Sequence, residues 1–163
     1  MRIFIIGMPG SGKTTVALKL AKALNYKYID LDGMIEKDAL MFIEEIFETY
    51  GEKKFRELET QALENCNEDD SVIACGGGIV TQKSNKALMQ GVKIYLDTDI
   101  EIIKKRLEQD YQRPLLKHKT LEQLFDERYL KYQDFADAVV SNNYDTDQTL
   151  KVILNYINNE EYK

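Results

Sequence analysis

One stretch near the start of the chain, GMPGSGKTT at residues 7–15, constrains the fold more than any other. It follows an apolar run at residues 3–6, leads into a helical pattern over residues 16–24, and fits the spacing G-x-x-x-x-G-K-[ST]. Glycines allow such a loop to turn its backbone N–H groups toward phosphates, and the positive end of the following helix adds to the attraction. A plain glycine-rich turn would not require Lys13 and the hydroxyl of Thr14, so we predict a nucleotide-phosphate site.

The composition narrows the class of protein. The chain has 163 residues with 22 basic and 28 acidic side chains, and its net charge of −6 argues against broad nucleic-acid binding. Its length favours a single domain over residues 1–163, and no apolar stretch is long enough to predict a membrane span. No signal peptide is evident, and the spacing of Cys66 and Cys75 fits neither a metal site nor a redox motif. We therefore expect a cytoplasmic protein with reduced thiols.

Short apolar runs alternate with helical patterns along the whole chain. Strands are predicted at residues 2–6, 26–30, 71–75, 92–96 and 138–140. This alternation predicts an α/β fold with a five-stranded parallel sheet and helices on both faces. The helical region 33–66, broken near Gly51, is too long for a simple crossover and is interpreted as a substrate-binding flap. The closing helix is predicted at residues 147–157, with a frayed polar tail from Asn158.

Two groups of residues follow predicted strands and are candidates for ligand contacts. Asp30 and Asp32 come at the end of the second strand, and alternation would place both carboxylates on one side if the strand extends that far. The carboxyl ends of parallel strands line the ligand crevice, so we expect both beside the phosphate loop. Three glycines at residues 76–78 would allow close approach of a ligand to the backbone. The alternative in both cases is an ordinary turn.

Basic side chains lie at three further places. Arg56 and Glu59 are three residues apart on a predicted helix, where a surface ion pair is the ordinary interpretation. Residues 112–119 form a short basic stretch in an acidic protein, which predicts either a lid over phosphates or an exposed connector containing His118. Arg128 lies on a later predicted helix.

Taken together, these features resemble the shikimate kinase family over roughly residues 2–145. The resemblance depends on the order of six motifs: GMPGSGKTT, Asp30-x-Asp32, Gly51-Glu52-x-x-Phe55-Arg56-x-x-Glu59, Gly76-Gly77-Gly78, Arg113-Pro114-Leu115-Leu116 and Arg128-x-x-x-Tyr132. It implies a P-loop kinase fold with a substrate-binding segment at about 33–60 and a lid at about 110–120. It also implies Mg²⁺-dependent transfer of the γ-phosphoryl of ATP to the 3-hydroxyl of shikimate, a step toward chorismate and the aromatic amino acids.

The resemblance assigns roles to individual residues. The catalytic residues would be Lys13, Asp32 and Arg113, with Arg113 reaching the transferring phosphoryl from the lid. ATP would contact Gly10, Ser11, Gly12, Lys13, Thr14, Thr15, Arg106 and Arg113. Shikimate would contact Asp32, Arg56, Gly76, Gly77, Gly78 and Arg128. Mg²⁺ would bind Thr14 directly and Asp30 through water. In addition, Phe47 and Phe55 would wall the pocket, and Glu59 would orient Arg56.

The chemistry of these residue types agrees with the implied reaction. Arginine holds a carboxylate bidentately, so Arg56 and Arg128 suit the carboxylate of a small hydroxylated acid. Asp32 can accept hydrogen bonds from the hydroxyls, and whether it also takes a proton is left open. Phosphoryl transfer depends mainly on positioning and charge neutralisation, which Lys13, Mg²⁺ and Arg113 would supply.

The chain departs from the family pattern in two places. Residues 38–42 read DALMF where the family often has a glycine or Thr-Gly, and Leu130 stands where a proline is common. The alternatives in the same class are a kinase for another small hydroxylated acid, such as gluconate, or a nucleoside monophosphate kinase. An alternative from another class is a nucleotide-gated binding module without a small acceptor. We expect a monomer, because no long apolar face remains unassigned.

Overall fold

The computed structural model describes residues 1–108 and 119–161, with side chains through Glu160. Within these ranges one sheet contains the strands β1 (Arg2–Ile6), β2 (Lys27–Asp30), β3 (Ser71–Ala74), β4 (Val92–Asp97) and β5 (Ala138–Ser141). The strand order is β2-β3-β1-β4-β5, and every neighbouring pair is parallel. This confirms the predicted α/β fold and places the carboxyl ends of all five strands along one edge.

Helices cover both faces of the sheet. They are α1 (Lys13–Leu24), α2 (Leu31–Ala39), α3 (Ile43–Glu64), α4 (Asn85–Leu88), α5 (Ile100–Leu107), α6 (Leu121–Phe135) and α7 (Thr146–Glu161), with a 3₁₀ turn at Ile79–Thr81. Alternate residues of β1 enter different cores: Ile3 and Ile5 pack with α1 and α7, whereas Phe4 and Ile6 pack with α2, α3 and α6. Burial on both faces explains why this strand is continuously apolar.

The flap region contains one break more than predicted. The kink at Gly51, with φ 85° and ψ 174°, confirms the predicted break inside α3. A second break separates α2 from α3, where Leu40 ends α2 in the left-handed conformation with φ 54°. Sequence reasoning missed this break because leucine rarely adopts that conformation, which glycine usually supplies at a helix end. It falls in the segment 38–42 where the chain departs from the family pattern.

Two helix boundaries differ from the prediction. The strand β2 ends at Asp30 as predicted, but α2 begins at Leu31 instead of residue 33. Asp32 therefore lies in the first turn of α2, and the strand does not extend far enough for alternation to position it. Leu31, the first residue of α2, is fully buried in the core. The tail from Asn158 is not frayed as far as the structure describes it, because α7 continues to Glu161 with Ile157 buried beneath it.

Two further predictions were a lid and the lack of a membrane-spanning segment. The predicted lid at about 110–120 falls almost entirely on residues 109–118, which lie outside the described residues together with Arg113 and His118. Among the helices that the structure does describe, none has both the length and the apolar character that a membrane crossing requires.

Candidate active site

The phosphate loop has the predicted strand–loop–helix geometry. Gly10 and Gly12 adopt left-handed conformations with φ 81° and φ 95°, and α1 begins immediately afterwards at Lys13. The ammonium of Lys13 donates hydrogen bonds to the carbonyls of Gly7 (2.8 Å) and Met8 (2.9 Å), so the side chain lies back across the loop. The loop therefore presents a cation and a helix N-terminus at the same place, which is the arrangement that attracts phosphate.

Side chains from two distant strand ends hold this loop in place. The carbonyl of Ser11 accepts hydrogen bonds from Asn142 Nδ2 (2.7 Å) and Thr98 Oγ1 (3.2 Å), and Thr98 and Asn142 are both buried. The guanidinium of Arg106 donates to the carbonyls of Gly10 (3.2 Å) and Asn142 (3.1 Å). Sequence reasoning missed Thr98 and Asn142. Their position directly after β4 and β5, at the ligand edge of a parallel sheet, was the available signal.

A cleft of about 260 Å³ joins the phosphate loop to the ends of β2 and β3. Its lining contains most of the predicted residues: Gly10, Gly12, Lys13, Thr14, Thr15, Asp30, Asp32, Gly76, Gly77 and Arg106. Ser11 is fully buried and is not among the residues that line the cleft. Asp32 reaches the cleft although strand alternation does not position it, because the first turn of α2 borders the same edge of the sheet as Asp30.

The cleft contains oxygen donors suited to a hard cation. Thr14 and the carboxylates of Asp30 and Asp32 line it together. The hydroxyl of Tyr28 pairs with that of Thr14, and burial together with the nearby Asp30 raises the pKa of Tyr28. Hydroxyl and carboxylate oxygens next to a phosphate site form the donor set that Mg²⁺ prefers, with water and phosphate completing its shell. The residues present therefore fit a magnesium ion.

Arg56 and Glu59 form a buried ion pair, so the surface interpretation of this pair was wrong. Arg56 Nη1 donates to Glu59 Oε1 at 3.0 Å, and the two residues are 5% and 0% exposed. Burial raises the pKa of Glu59 to about 7, against the opposing effect of Arg56. The guanidinium of Arg56 also lies over the ring of Phe55, which contacts Phe47 with ring centres 4.8 Å apart.

Arg128 is the second buried arginine of this region. It is 3% exposed, and no carboxylate of the described residues lies within ion-pairing distance of its guanidinium. Its Nε has no hydrogen-bond partner among those residues. A buried guanidinium is costly without a counter-charge, so this arrangement favours an anionic ligand.

Each of the three glycines at residues 76–78 lies against one polar side chain of the candidate site. A β-carbon built on Gly76 would lie 3.0 Å from Asp32 Oδ1, and one on Gly77 would lie 3.3 Å from Arg128 Nη1. On Gly78 it would lie 2.5 Å from Arg56 Cζ. The glycines are therefore needed for space, and the alternative of an ordinary turn does not account for them.

The carbonyls of this glycine loop are all engaged. Gly76 accepts from the amide of Ile79 (3.1 Å), and Gly78 accepts from both the amide (3.0 Å) and the hydroxyl (2.7 Å) of Thr81. Gly77 accepts from the hydroxyl of Tyr132 at 2.5 Å. Hydrogen bonds to its three carbonyls thus fix the loop, while Gly76 and Gly77 line the cleft.

The chain is similar to known proteins over most of its length. The family model described as "Shikimate kinase" matches residues 9–158. A shikimate kinase from Prochlorococcus marinus is 39% identical over 160 residues, covering 93% of this chain and 84% of the relative. One from Staphylococcus epidermidis is 40% identical over 139 residues, covering 82% of each protein.

A solved structure gives the same result in three dimensions. A shikimate kinase from Acinetobacter baumannii in complex with shikimate superposes with a TM-score of 0.90 and is 33% identical. The superposition covers 97% of this chain and 93% of the other. Fold, motifs and sequence identity over most of both lengths agree, and the chain belongs to the shikimate kinase family.

Proposed function

We propose that this protein transfers the γ-phosphoryl group of ATP to the 3-hydroxyl of shikimate. The observation that carries the proposal is Arg128, a buried cation without a carboxylate among the described residues, placed beside the glycine loop that borders the phosphate site. A small carboxylic acid bound there would supply the missing counter-charge. Its hydroxyls would then extend toward Asp32 and the nucleotide.

The acceptor pocket has a separate group for each part of the substrate. Arg128 and Arg56 would hold the carboxylate, Arg56 remaining oriented by its 3.0 Å bond to Glu59. Asp32 would accept hydrogen bonds from the hydroxyls, and the glycine loop would allow the ring to approach the backbone. These assignments account for two buried arginines that the phosphate site itself does not require.

The nucleotide would bind through the phosphate loop at residues 10–15. Lys13 would exchange its bonds to the loop carbonyls for the β- and γ-phosphates. Mg²⁺ would be held by Thr14 and, through water, by Asp30, and when bound it neutralises phosphate charge. Arg106 would lie along the nucleotide at the end of the cleft, and Arg113 would reach the transferring group from the lid.

In the reaction, the 3-hydroxyl oxygen forms the new bond to the γ-phosphorus while the bond between that phosphorus and the bridging oxygen of ADP breaks. Asp32 would orient the attacking hydroxyl and receive its proton, so that the products are shikimate 3-phosphate and ADP. Lys13 and Arg113 would stabilise the charge on the transferring phosphoryl. The protein would act as a cytoplasmic, single-domain monomer over residues 1–163, with no nucleic-acid or membrane partner.

The first test is ATP consumption by the purified protein with Mg²⁺, comparing shikimate with no acceptor, gluconate, AMP and CMP. We expect turnover only with shikimate. Turnover with another acceptor would retain the phosphate site but refute the proposed pocket. Turnover independent of any acceptor would instead support a nucleotide-gated module.

A matched pair of variants tests the pocket itself. Arg128→Lys keeps the charge but loses the planar fork, so we expect at least about tenfold weaker shikimate binding. Lys131→Ala removes an exposed cation of the same helix and should leave binding unchanged. Equal affinities in both variants would show that the acceptor does not bind at Arg128.

A further inference from the structure

Tyr132 belongs to the motif Arg128-x-x-x-Tyr132, yet the proposed reaction gives it no role. It lies four residues after Arg128 on α6, so the two side chains share one face of the helix. Tyr132 is fully buried, and its hydroxyl donates to the carbonyl of Gly77 at 2.5 Å. It therefore connects α6 to the middle residue of the glycine loop.

Gly77 is enclosed by the two halves of the site. A β-carbon on Gly77 would lie 2.9 Å from Pro9 Cδ of the phosphate loop and 3.3 Å from Arg128 Nη1. The bond to Tyr132 holds Gly77 at this junction. A small displacement of its carbonyl would move the neighbouring peptide groups of the loop with it.

The same hydroxyl also contacts Arg128. The two side chains are hydrogen-bonded, and because a guanidinium only donates, the phenol oxygen must be the acceptor. The hydroxyl thus accepts from Arg128 and donates to Gly77. Its position links the orientation of the guanidinium to that of the glycine loop.

We propose that Tyr132 is a positioning residue for the acceptor pocket, whose hydroxyl holds the guanidinium of Arg128 and the carbonyl of Gly77 in one fixed arrangement. This inference rests on the proposed function, because the geometry it sets is that of the shikimate site. Tyr132 is not expected to touch the substrate, since its hydroxyl is occupied by Arg128 and Gly77.

The role belongs to the hydroxyl and not to the ring. The ring stacks on Tyr95 with centres 4.9 Å apart and planes inclined by 20°, a contact that phenylalanine would preserve. Burial raises the pKa of Tyr132 to about 12, so the phenol keeps its proton and remains a donor at neutral pH.

The test compares two substitutions within this stacked pair. Tyr132→Phe removes the hydroxyl that joins Arg128 to Gly77, whereas Tyr95→Phe removes a hydroxyl that only approaches Asp97 at 3.5 Å. Calorimetry should show the Kd of shikimate raised about five- to tenfold in Tyr132→Phe, the usual effect of a lost buried hydrogen bond. The Kd of ADP should stay within about twofold, and Tyr95→Phe should change neither value.

Steady-state kinetics adds a readout that a purely structural role would not give. In Tyr132→Phe the KM of shikimate should rise while kcat and the KM of ATP stay nearly constant. Replacement of Tyr132 by para-aminophenylalanine restores a donor to Gly77 but weakens the acceptor for Arg128, so its shikimate affinity should be intermediate. If the phenylalanine variant does not fold, the amino variant decides, and unchanged shikimate affinity there would overturn the inference.

The outcomes separate the two proposals. If the unmodified protein does not bind shikimate, the proposed function fails and this inference with it. If the unmodified protein binds shikimate and Tyr132→Phe binds it equally well, only the inference fails. It also fails if Tyr132→Phe weakens shikimate and ADP alike, or if Tyr95→Phe has the same effect.

Discussion

Asn142 donates its side-chain amide to the carbonyl of Ser11 at 2.7 Å, across 131 positions of sequence. Its own amide oxygen accepts from the hydroxyl of Thr149 at 2.8 Å, and its backbone carbonyl accepts from Arg106 at 3.1 Å. Asn142 is buried, and it joins β5, α7 and α5 to the phosphate loop. The conformation of that loop is therefore set in part by the far end of the chain.

Replacing Asn142 with alanine should weaken nucleotide binding. The substitution leaves the carbonyl of Ser11 with one donor fewer and removes the side chain that packs against Gly12. Loss of a buried hydrogen bond of this kind costs about 1–3 kcal/mol, so we expect the Kd of ADP to rise by roughly five- to a hundredfold. Calorimetry with ADP measures the effect.

The matched control is Asn143→Ala. Asn143 accepts from the amide of Asp99 at 2.7 Å and makes no hydrogen bond to the phosphate loop among the described contacts. Its ADP affinity should match that of the unmodified protein. Equal losses in the two variants would mean that the whole loop after β5, and not the bond to Ser11, supports the nucleotide site.

Leu40→Gly should stabilise the protein by about 1 kcal/mol. Leu40 ends α2 with φ 54° and is 88% exposed, so glycine relieves backbone strain and loses almost no packing. Leu130→Gly is the opposite case, because Leu130 is 76% exposed inside α6 and glycine there should destabilise by about 1 kcal/mol. Urea denaturation measures both changes in the free energy of unfolding. Changes of the same sign in the two variants would contradict the left-handed conformation assigned to Leu40.

Two further glycines distinguish backbone strain from lack of space. Gly51 has φ 85° and nothing within 4 Å of an added β-carbon, so Gly51→Ala should lower the free energy of unfolding by about 1–3 kcal/mol. Gly78 has φ −96° and ψ 8°, which alanine tolerates, but its β-carbon would overlap the guanidinium of Arg56.

Gly78→Ala should therefore act on ligand binding. Displacement of the Arg56 guanidinium should raise the Kd of shikimate by at least about tenfold, with ADP binding unchanged. Gly51→Ala supplies the control, since it should lower the free energy of unfolding measured by denaturation and not the affinity for shikimate. Retention of full shikimate affinity by Gly78→Ala would argue against Arg56 as a substrate contact.

Glu59 should make stability fall as the pH rises toward neutrality. Burial raises the pKa of Glu59 from its ordinary value of 4.5 to about 7, so the folded protein binds this proton more tightly than the unfolded chain. The stabilisation is complete below the unfolded pKa and is lost as the pH passes through about 7, by about 3 kcal/mol at most. Glu59→Gln should remove this slope from denaturation curves measured between pH 5 and 7.5.

Glu127→Gln is the control with the opposite sign. The hydrogen bond from Lys119 lowers the pKa of this exposed carboxyl, so its contribution is present above the unfolded pKa and is lost as the pH falls. Its removal should leave the slope between pH 5 and 7.5 unchanged. A wild-type slope that persists in Glu59→Gln would show that Glu59 is not the source of the slope.

The phosphate loop, the alternation of strands and helices and the parallel sheet follow from the sequence alone. Each depends on spacing along a short segment. The glycines and Lys13 lie within residues 7–15, and the spacing of apolar residues indicates which strand and helix faces are buried. The break at Gly51 was visible for the same reason, because glycine marks backbone conformations that other residues avoid.

Only the tertiary structure decided which polar groups are buried and what they face. The Arg56–Glu59 spacing is the same in a surface ion pair and in a buried one. Likewise, the residues next to Arg128 in sequence do not indicate that it is buried without an acidic partner among the described residues. Asp32 lies in the cleft because α2 begins directly after β2 at the carboxyl edge of the sheet, and Asn142 reaches Ser11 because the parallel strands β5 and β1 end at that same edge. Burial and pairing of charges depend on contacts between distant segments, which spacing along one chain does not encode.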